Sequence, residues 1–76
     1  MKNFIEYVIK ALVDNPGSVQ ISEIYGKHNV ILEIRCHSSD MGRVIGKNGK
    51  TIGAVRTLLS TLAAKQGRKS MLEIVE

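Results

Sequence analysis

The residues with most chemistry to offer lie between positions 42 and 52, in the run Gly42-Arg43-Val44-Ile45-Gly46-Lys47-Asn48-Gly49-Lys50-Thr51-Ile52. Gly46 and Gly49 are three apart, and with no Cβ on either the backbone can turn sharply there. They also leave no side chains in the way of an approaching sugar–phosphate chain. Lys47 and Lys50 place formal positive charge beside that turn, and Arg43 stands about one helical turn before it. A helix beginning near Lys50 would aim its first N–H groups, around Lys50 and Thr51, at the same opening. The positive end of its dipole would point there too. The chemistry this set can do is to hold an anion, above all a phosphodiester backbone.

Other readings of the same residues fare less well. Gly49-Lys50-Thr51 matches the tail of the phosphate-binding pattern G-x-x-x-x-G-K-[ST], but the first glycine of that pattern would fall on Val44. The chain is also too short for a nucleotide-binding α/β domain. Asn48-Gly49 is a hairpin-turn signal. A hairpin would have to pair Val44-Ile45 with Thr51-Ile52, against the helical spacing that runs from Ile52 to Leu62. A turn between two helices with no binding role stays open. Cys36, His37 and His28 are too few for a metal site, and neighbours on a strand point to opposite faces. Cys36 reads as core and His37 as surface. Ser38 and Ser39 have no histidine–carboxylate pair at a usable spacing. No catalytic residue, metal or cofactor is expected.

Charge supports an anionic partner. Residues 1–40 carry four basic and five acidic side chains. Residues 41–72 carry Arg43, Lys47, Lys50, Arg56, Lys65, Arg68 and Lys69 and no acid. A basic half on a small domain is a polyanion-facing surface or a solvated charged face. Seventy-six residues suffice for one domain, 1–76, with a modest core and no room for a lid or a deep enclosed site. One cysteine cannot form an internal disulfide, which suggests a reducing compartment. The first residues lack the pattern of a signal peptide, and no apolar run approaches a membrane span. A cytoplasmic protein with no membrane partner is expected.

The elements that must position the glycine run follow from periodicity. Residues 3–13 form an amphipathic helix: Phe4, Val8 and Leu12 recur at i+4, as do Ile5, Ile9 and Val13, opposite Glu6, Lys10 and Asp14. Asn15-Pro16-Gly17 ends it. Val19 to Tyr25 is a strand with Val19, Ile21 and Tyr25 on one face and Glu23 as the misfit. Gly26 to Asn29 is a hairpin connection. Val30 to His37 is a cleaner strand, with Val30, Leu32, Ile34 and Cys36 on one face. Ser38-Ser39-Asp40 offers N-cap chemistry for a short helix over 41–45. A longer helix runs from about Lys50 to Gln66, with Ile52, Val55, Leu59 and Leu62 facing the core and Gly67 at C′. Arg68 to Val75 is the last strand. The order is α-β-β-α-α-β. The first two strands should pair as an antiparallel hairpin, and the helical crossover should make the second and third parallel.

In the stretch 44–52 the chain resembles the KH domain, whose signature Val-Ile-Gly-x-x-Gly-x-x-Ile is met at Val44, Ile45, Gly46, Gly49 and Ile52. The element order resembles the type II arrangement, and the resemblance covers the whole chain. It implies an α+β fold with a three-stranded mixed sheet covered on one face by three helices. The chain is similar to the small single-KH RNA-binding proteins of bacteria, which partner a larger Jag-type KH protein. The resemblance implies single-stranded RNA as ligand, an RNA-chaperone role, homodimers or heterodimers with the Jag-type partner, and a link to cell elongation and envelope growth.

A KH loop clamps about four nucleotides. The residues expected to meet RNA are Arg43, Val44, Ile45, Gly46, Lys47, Asn48, Gly49, Lys50, Thr51, Ile52 and Arg56. By resemblance the bases lie in a groove beside the loop, with Val44, Ile45 and Ile52 as its aliphatic floor and Val30 to Ile34 on the strand side. Without aromatic platforms there, sequence discrimination should be weak. If Arg43, Lys47, Lys50 and Arg56 each meet a phosphate, log K against log salt should slope at roughly −3. An assembly module that has kept this fold without RNA, using the exposed third strand, and a single-stranded DNA binder are the alternatives.

Overall fold

Apolar residues at helical spacing near the start of the chain give a first helix, α1, over Lys2–Leu12. The computed structural model describes residues 1–75; Glu76, counted with the domain above, lies outside the described residues. Ile5 and Ile9 are fully buried, each contributing about 1.5–3 kcal/mol of burial. Phe4 and Leu12, on the other half of the expected stripe, stay exposed. The outer face carries a Glu6–Lys10 ion pair at 2.9 Å. Pro16–Ser18 then form a single 3-10 turn.

The strands are β1 (Gln20–Tyr25), β2 (Asn29–Arg35) and β3 (Lys69–Val75). β2 ends two residues earlier than expected, because His37 turns to cap the next turn: its ring Nδ1 accepts the Ser39 N–H. The sheet order is β1-β2-β3, antiparallel then parallel. Ile21 lies opposite Ile34, and Leu32 opposite Leu72. Val30, Leu32 and Ile34 have no exposed surface.

Two corrections concern β1. Tyr25 is exposed rather than core, and its ring stacks under the Arg68 guanidinium at 4.8 Å. Glu23 is no misfit: its Oε2 accepts the Lys2 N–H at 3.1 Å and the Tyr25 hydroxyl at 3.2 Å, so it satisfies the start of α1 from across the fold.

Two further helices, α2 (Met41–Ile45) and α3 (Lys50–Lys65), join β2 to β3. Val44, Ile52, Val55 and Leu59 pack with Ile5 and Ile9 against Ile21, Leu32, Ile34 and Leu72 in one core between the helices and one sheet face. The stripe of α3 ends on Ala63, not Leu62: Ala63 is fully buried and Leu62 only partly. Gly67, at φ 70°, is the expected C′ residue. The Arg68 N–H reaches the Ala63 carbonyl at 2.9 Å and the Gly67 N–H the Ala64 carbonyl at 3.0 Å, closing the helix end. Among the described residues no helix is long and apolar enough to cross a membrane.

Candidate nucleic-acid interface

The glycine run folds as two helices meeting at a bare turn. α2 closes with the Gly46 N–H on the Gly42 carbonyl at 2.9 Å. The backbone then passes through three residues of positive φ: Gly46 (φ 76°, ψ 171°), Asn48 (φ 56°, ψ 28°) and Gly49 (φ 72°, ψ 15°). Gly46 is required twice over. Its backbone region is one that side-chain-bearing residues avoid, and a Cβ there would lie 2.8 Å from the Thr51 nitrogen and 2.6 Å from the Thr51 Cβ. Gly49 is left-handed, but a Cβ on it would meet open space. Asparagine tolerates that left-handed region better than most residues, which suits Asn48. The Asn-Gly pair therefore supplies positive φ as it would in a hairpin, but between two helices.

Hydrogen bonds within the turn alter one expectation. The Gly49 N–H bonds to the Gly46 carbonyl at 3.1 Å, and the Lys50 N–H bonds to the Lys47 carbonyl. Lys50 therefore has no N–H to spare, and a phosphate at this helix start would draw on the N–H groups that follow it.

The expected site residues separate into three groups. Lys47, Asn48 and Lys50 are exposed on the turn, with Gly46, Gly49 and Thr51 partly exposed between them. Ile45 keeps 38% of its surface beside them. Val44 and Ile52 are different: they are 0% and 5% exposed and belong to the core. Val30, Leu32 and Ile34 are also sealed, and Ile31, partly exposed, alternates with them onto the other sheet face, so the aliphatic floor beside the turn reduces to Ile45. The buried residues fix its height instead.

The arginines form the third group. Arg43 pairs with Asp14, Nη2 to Oδ2 at 3.0 Å, and its Nε lies 3.9 Å from Asp40 Oδ1. Arg56 donates to the Leu72 carbonyl at 3.4 Å. Arg68 stacks on Tyr25 and donates to Gln66 Oε1 at 3.3 Å. Every arginine of the basic half thus touches the protein. Among the described residues, Lys47, Lys50, Lys65 and Lys69 form no ion pair or side-chain hydrogen bond. The planar guanidinium holds fixed partners well, whereas the lysine ammonium stays solvated and free to meet a phosphate.

Asp40 is the residue that the sequence placed wrongly. It does not cap α2 with its side chain. Its carboxylate is 1% exposed and reaches back to the end of α1. There it accepts the Asp14 N–H at 3.1 Å, the Asn15 N–H at 3.0 Å and the Asn15 side-chain amide at 3.0 Å. Burial by itself would raise the Asp40 carboxyl pKa, but the Asn15 amide, the two backbone N–H groups and Arg43 together hold it below its ordinary value. This clasp fixes α2, and with it the glycine turn, against α1. The Ser-Ser-Asp pattern gave no sign of it, because its partners lie 25 and 26 residues away.

Cys36 is partly buried, and its thiol lies 3.5 Å from the Met41 sulfur. Burial, with the Asp40 charge nearby, raises its pKa. No group of three metal-ligating side chains occurs among the described residues. A groove of about 340 Å³ between α3 and β3, lined by Arg56, Leu59, Ser60, Ser70, Met71 and Leu72, includes no residue of the turn.

A family model described as the KhpA/KhpB KH domain matches residues 2–74. The chain belongs to this KH-domain family. It is 47% identical to the RNA-binding protein KhpA of Chlamydia caviae over all of this chain and 97% of that one. It is 41% identical to the RNA-binding protein KhpA of Clostridium acetobutylicum, over 99% of this chain and all of that one. The Aquifex aeolicus protein of the same name is 40% identical over all of this chain and 96% of its own length. No solved structure gives a significant match. The element order, the mixed three-stranded sheet and the three helices agree with the family fold.

Proposed function

We propose that the chain binds single-stranded RNA as a small non-enzymatic KH module, with the turn Gly46-Lys47-Asn48-Gly49 as the phosphate clamp. The observation that carries this is the contrast among cations: Lys47 within the turn and Lys50 just after it have no ion pair or side-chain hydrogen bond among the described residues, while the nearby arginines are engaged. The name that the chain's relatives bear, RNA-binding protein KhpA, supports the ligand. Ile45 is the apolar contact a base can reach. Val44 and Ile52 set the backbone from beneath, and Thr51 packs against Gly46.

The finer reading is an RNA chaperone of the cytoplasm. One KH clamp covers about four nucleotides, so a single copy binds weakly. Useful affinity then comes from a second module, in a homodimer or with a larger Jag-type KH protein, through effective concentration. The family description names two proteins, KhpA and KhpB, which supports a partner of the same fold. Control of cell elongation and envelope growth follows from the family resemblance alone.

The test is Lys47→Asp combined with Asn48→Asp. The double variant should lose RNA affinity by at least about a hundredfold, from charge reversal at the clamp and repulsion by a second carboxylate. Circular dichroism should be unchanged, since both side chains are exposed. Wild-type affinity in the variant would reject the turn as the clamp. Two free lysines rather than four cations also lower the expected salt slope from roughly −3 to about −1.4. A slope near zero would reject the phosphate-clamp reading.

A further inference from the structure

Arg43 stands three residues before Gly46 on α2, and its guanidinium contacts Asp14 and Asp40. It is drawn to the end of α1 by two carboxylates that differ in kind. Asp40 is 1% exposed and already accepts three hydrogen bonds, so it is fixed in place. Asp14 is 69% exposed at its side chain and makes its 3.0 Å contact to Arg43 at the surface. The Arg43 side chain is itself 56% exposed. Like a phosphodiester, an exposed carboxylate offers a guanidinium two acceptor oxygens that share one negative charge.

We propose that Asp14 is an internal stand-in for an RNA phosphate, which holds Arg43 away from the ligand and lowers the affinity of the clamp. This rests on the RNA reading above. An RNA chain that extends past the turn along α2 gains the Arg43 contact in competition with Asp14, which already holds Nη2 and offsets the guanidinium charge. The exchange swaps one ion pair for another and leaves the Asp40 clasp closed, because Asp14 takes part in that clasp through its backbone N–H alone. Arg43 is then a contact in reserve, and Asp14 sets how readily it is used. The arrangement favours fast release over tight holding, which suits a module that must let RNA go.

The experiment compares Asp14→Ala, Arg43→Gln and the double variant with the wild type. Affinity for a labelled single-stranded RNA of mixed sequence is titrated against salt. Asp14→Ala should raise affinity about two- to fivefold, the span of an exposed ion pair. It should steepen the salt slope by about 0.7, one added phosphate contact. With Arg43→Gln already present, Asp14→Ala should leave the slope unchanged. Melting temperature of Asp14→Ala should be close to wild type, since that pair is exposed; Arg43→Gln also gives up its contact with buried Asp40, so its binding is read at a temperature where circular dichroism shows it folded. Equal effects of Asp14→Ala in both backgrounds would mean only a general loss of negative charge and would overturn the proposal. Unchanged affinity and slope in Asp14→Ala would overturn it too. The double-Asp turn variant reads the parent claim separately: if it binds like wild type the clamp is elsewhere, while the Arg43 comparison still decides the role of Asp14. RNA binding absent from the intact chain would remove both.

Discussion

The five-residue helix α2 joins two polar sites built on opposite plans. At its start, Asp40 is buried and its carboxylate is saturated by partners from the end of α1. At its end, the backbone bends through Gly46, Asn48 and Gly49, and two lysines stand in solvent with no partner among the described residues. One site spends its charge on the fold, and the other leaves it in solvent, where the proposed RNA ligand would meet it. The difference teaches how so small a domain can fix the backbone of the proposed clamp. The turn has few contacts of its own, so its position is inherited from the closed site one short helix away.

The sharpest way to break this division is at Gly46, which ends α2, opens the turn and lies against the start of α3. Gly46→Ala would force a Cβ against the Thr51 backbone in a region closed to alanine. The expected cost is about 3 kcal/mol or more, from backbone strain and overlap together. In a domain of this size that lowers the melting temperature by roughly 15 °C. RNA binding should fall with it. A variant that melts like wild type would show that the turn yields to the added methyl, and the fixed backbone read from the Gly46–Thr51 approach would fail.

The next largest effect is expected at the closed site. Asp40→Asn keeps the size but turns an amide donor toward N–H donors. The melting temperature at neutral pH should drop by roughly 5–10 °C. The sign of the pH dependence follows from the depressed pKa. Stability from Asp40 is fully present above its ordinary value of 3.8 and is lost as pH falls through the lower folded value. The gap between wild type and variant should therefore close in acid, below that ordinary value. RNA affinity at neutral pH and low temperature should change less than stability does. A constant gap down to strongly acidic pH would mean that the carboxylate charge is not what the clasp uses.

The same contrast separates what the sequence made legible from what it did not. The turn was readable because its requirements are local: two glycines at fixed spacing, an asparagine that accepts positive φ, and helical periodicity on both sides. The fold was readable for a similar reason. The alternation in β2 and the stripe Ile52, Val55, Leu59 each satisfy one period over a short window. The clasp was invisible because Asp40 finds its partners through the tertiary fold. So was the engagement of Arg43 and Arg56, which a charge count treats as free. Glu23 looked like an error in a strand until α1 arrived at its side chain. Pattern reading finds groups that serve their own segment and misses polar groups that serve another.

Gly49 offers the smallest and most selective effect. Like Gly46 it has positive φ, but a Cβ there would meet open space, so alanine costs only the left-handed backbone, about 1 kcal/mol. The melting temperature should fall by roughly 5 °C, a third of the loss at Gly46. The added methyl would stand on the face where a sugar–phosphate chain must approach. Affinity should therefore drop by more than the stability change explains, and it should do so at temperatures where the variant is fully folded. Measuring both quantities on Gly46→Ala and Gly49→Ala places the two glycines on separate axes. Position 46 should move mainly in stability and position 49 mainly in binding. If position 49 moved neither, its open space would be unused, and the clamp would rest on Lys47, Asn48 and Lys50 alone.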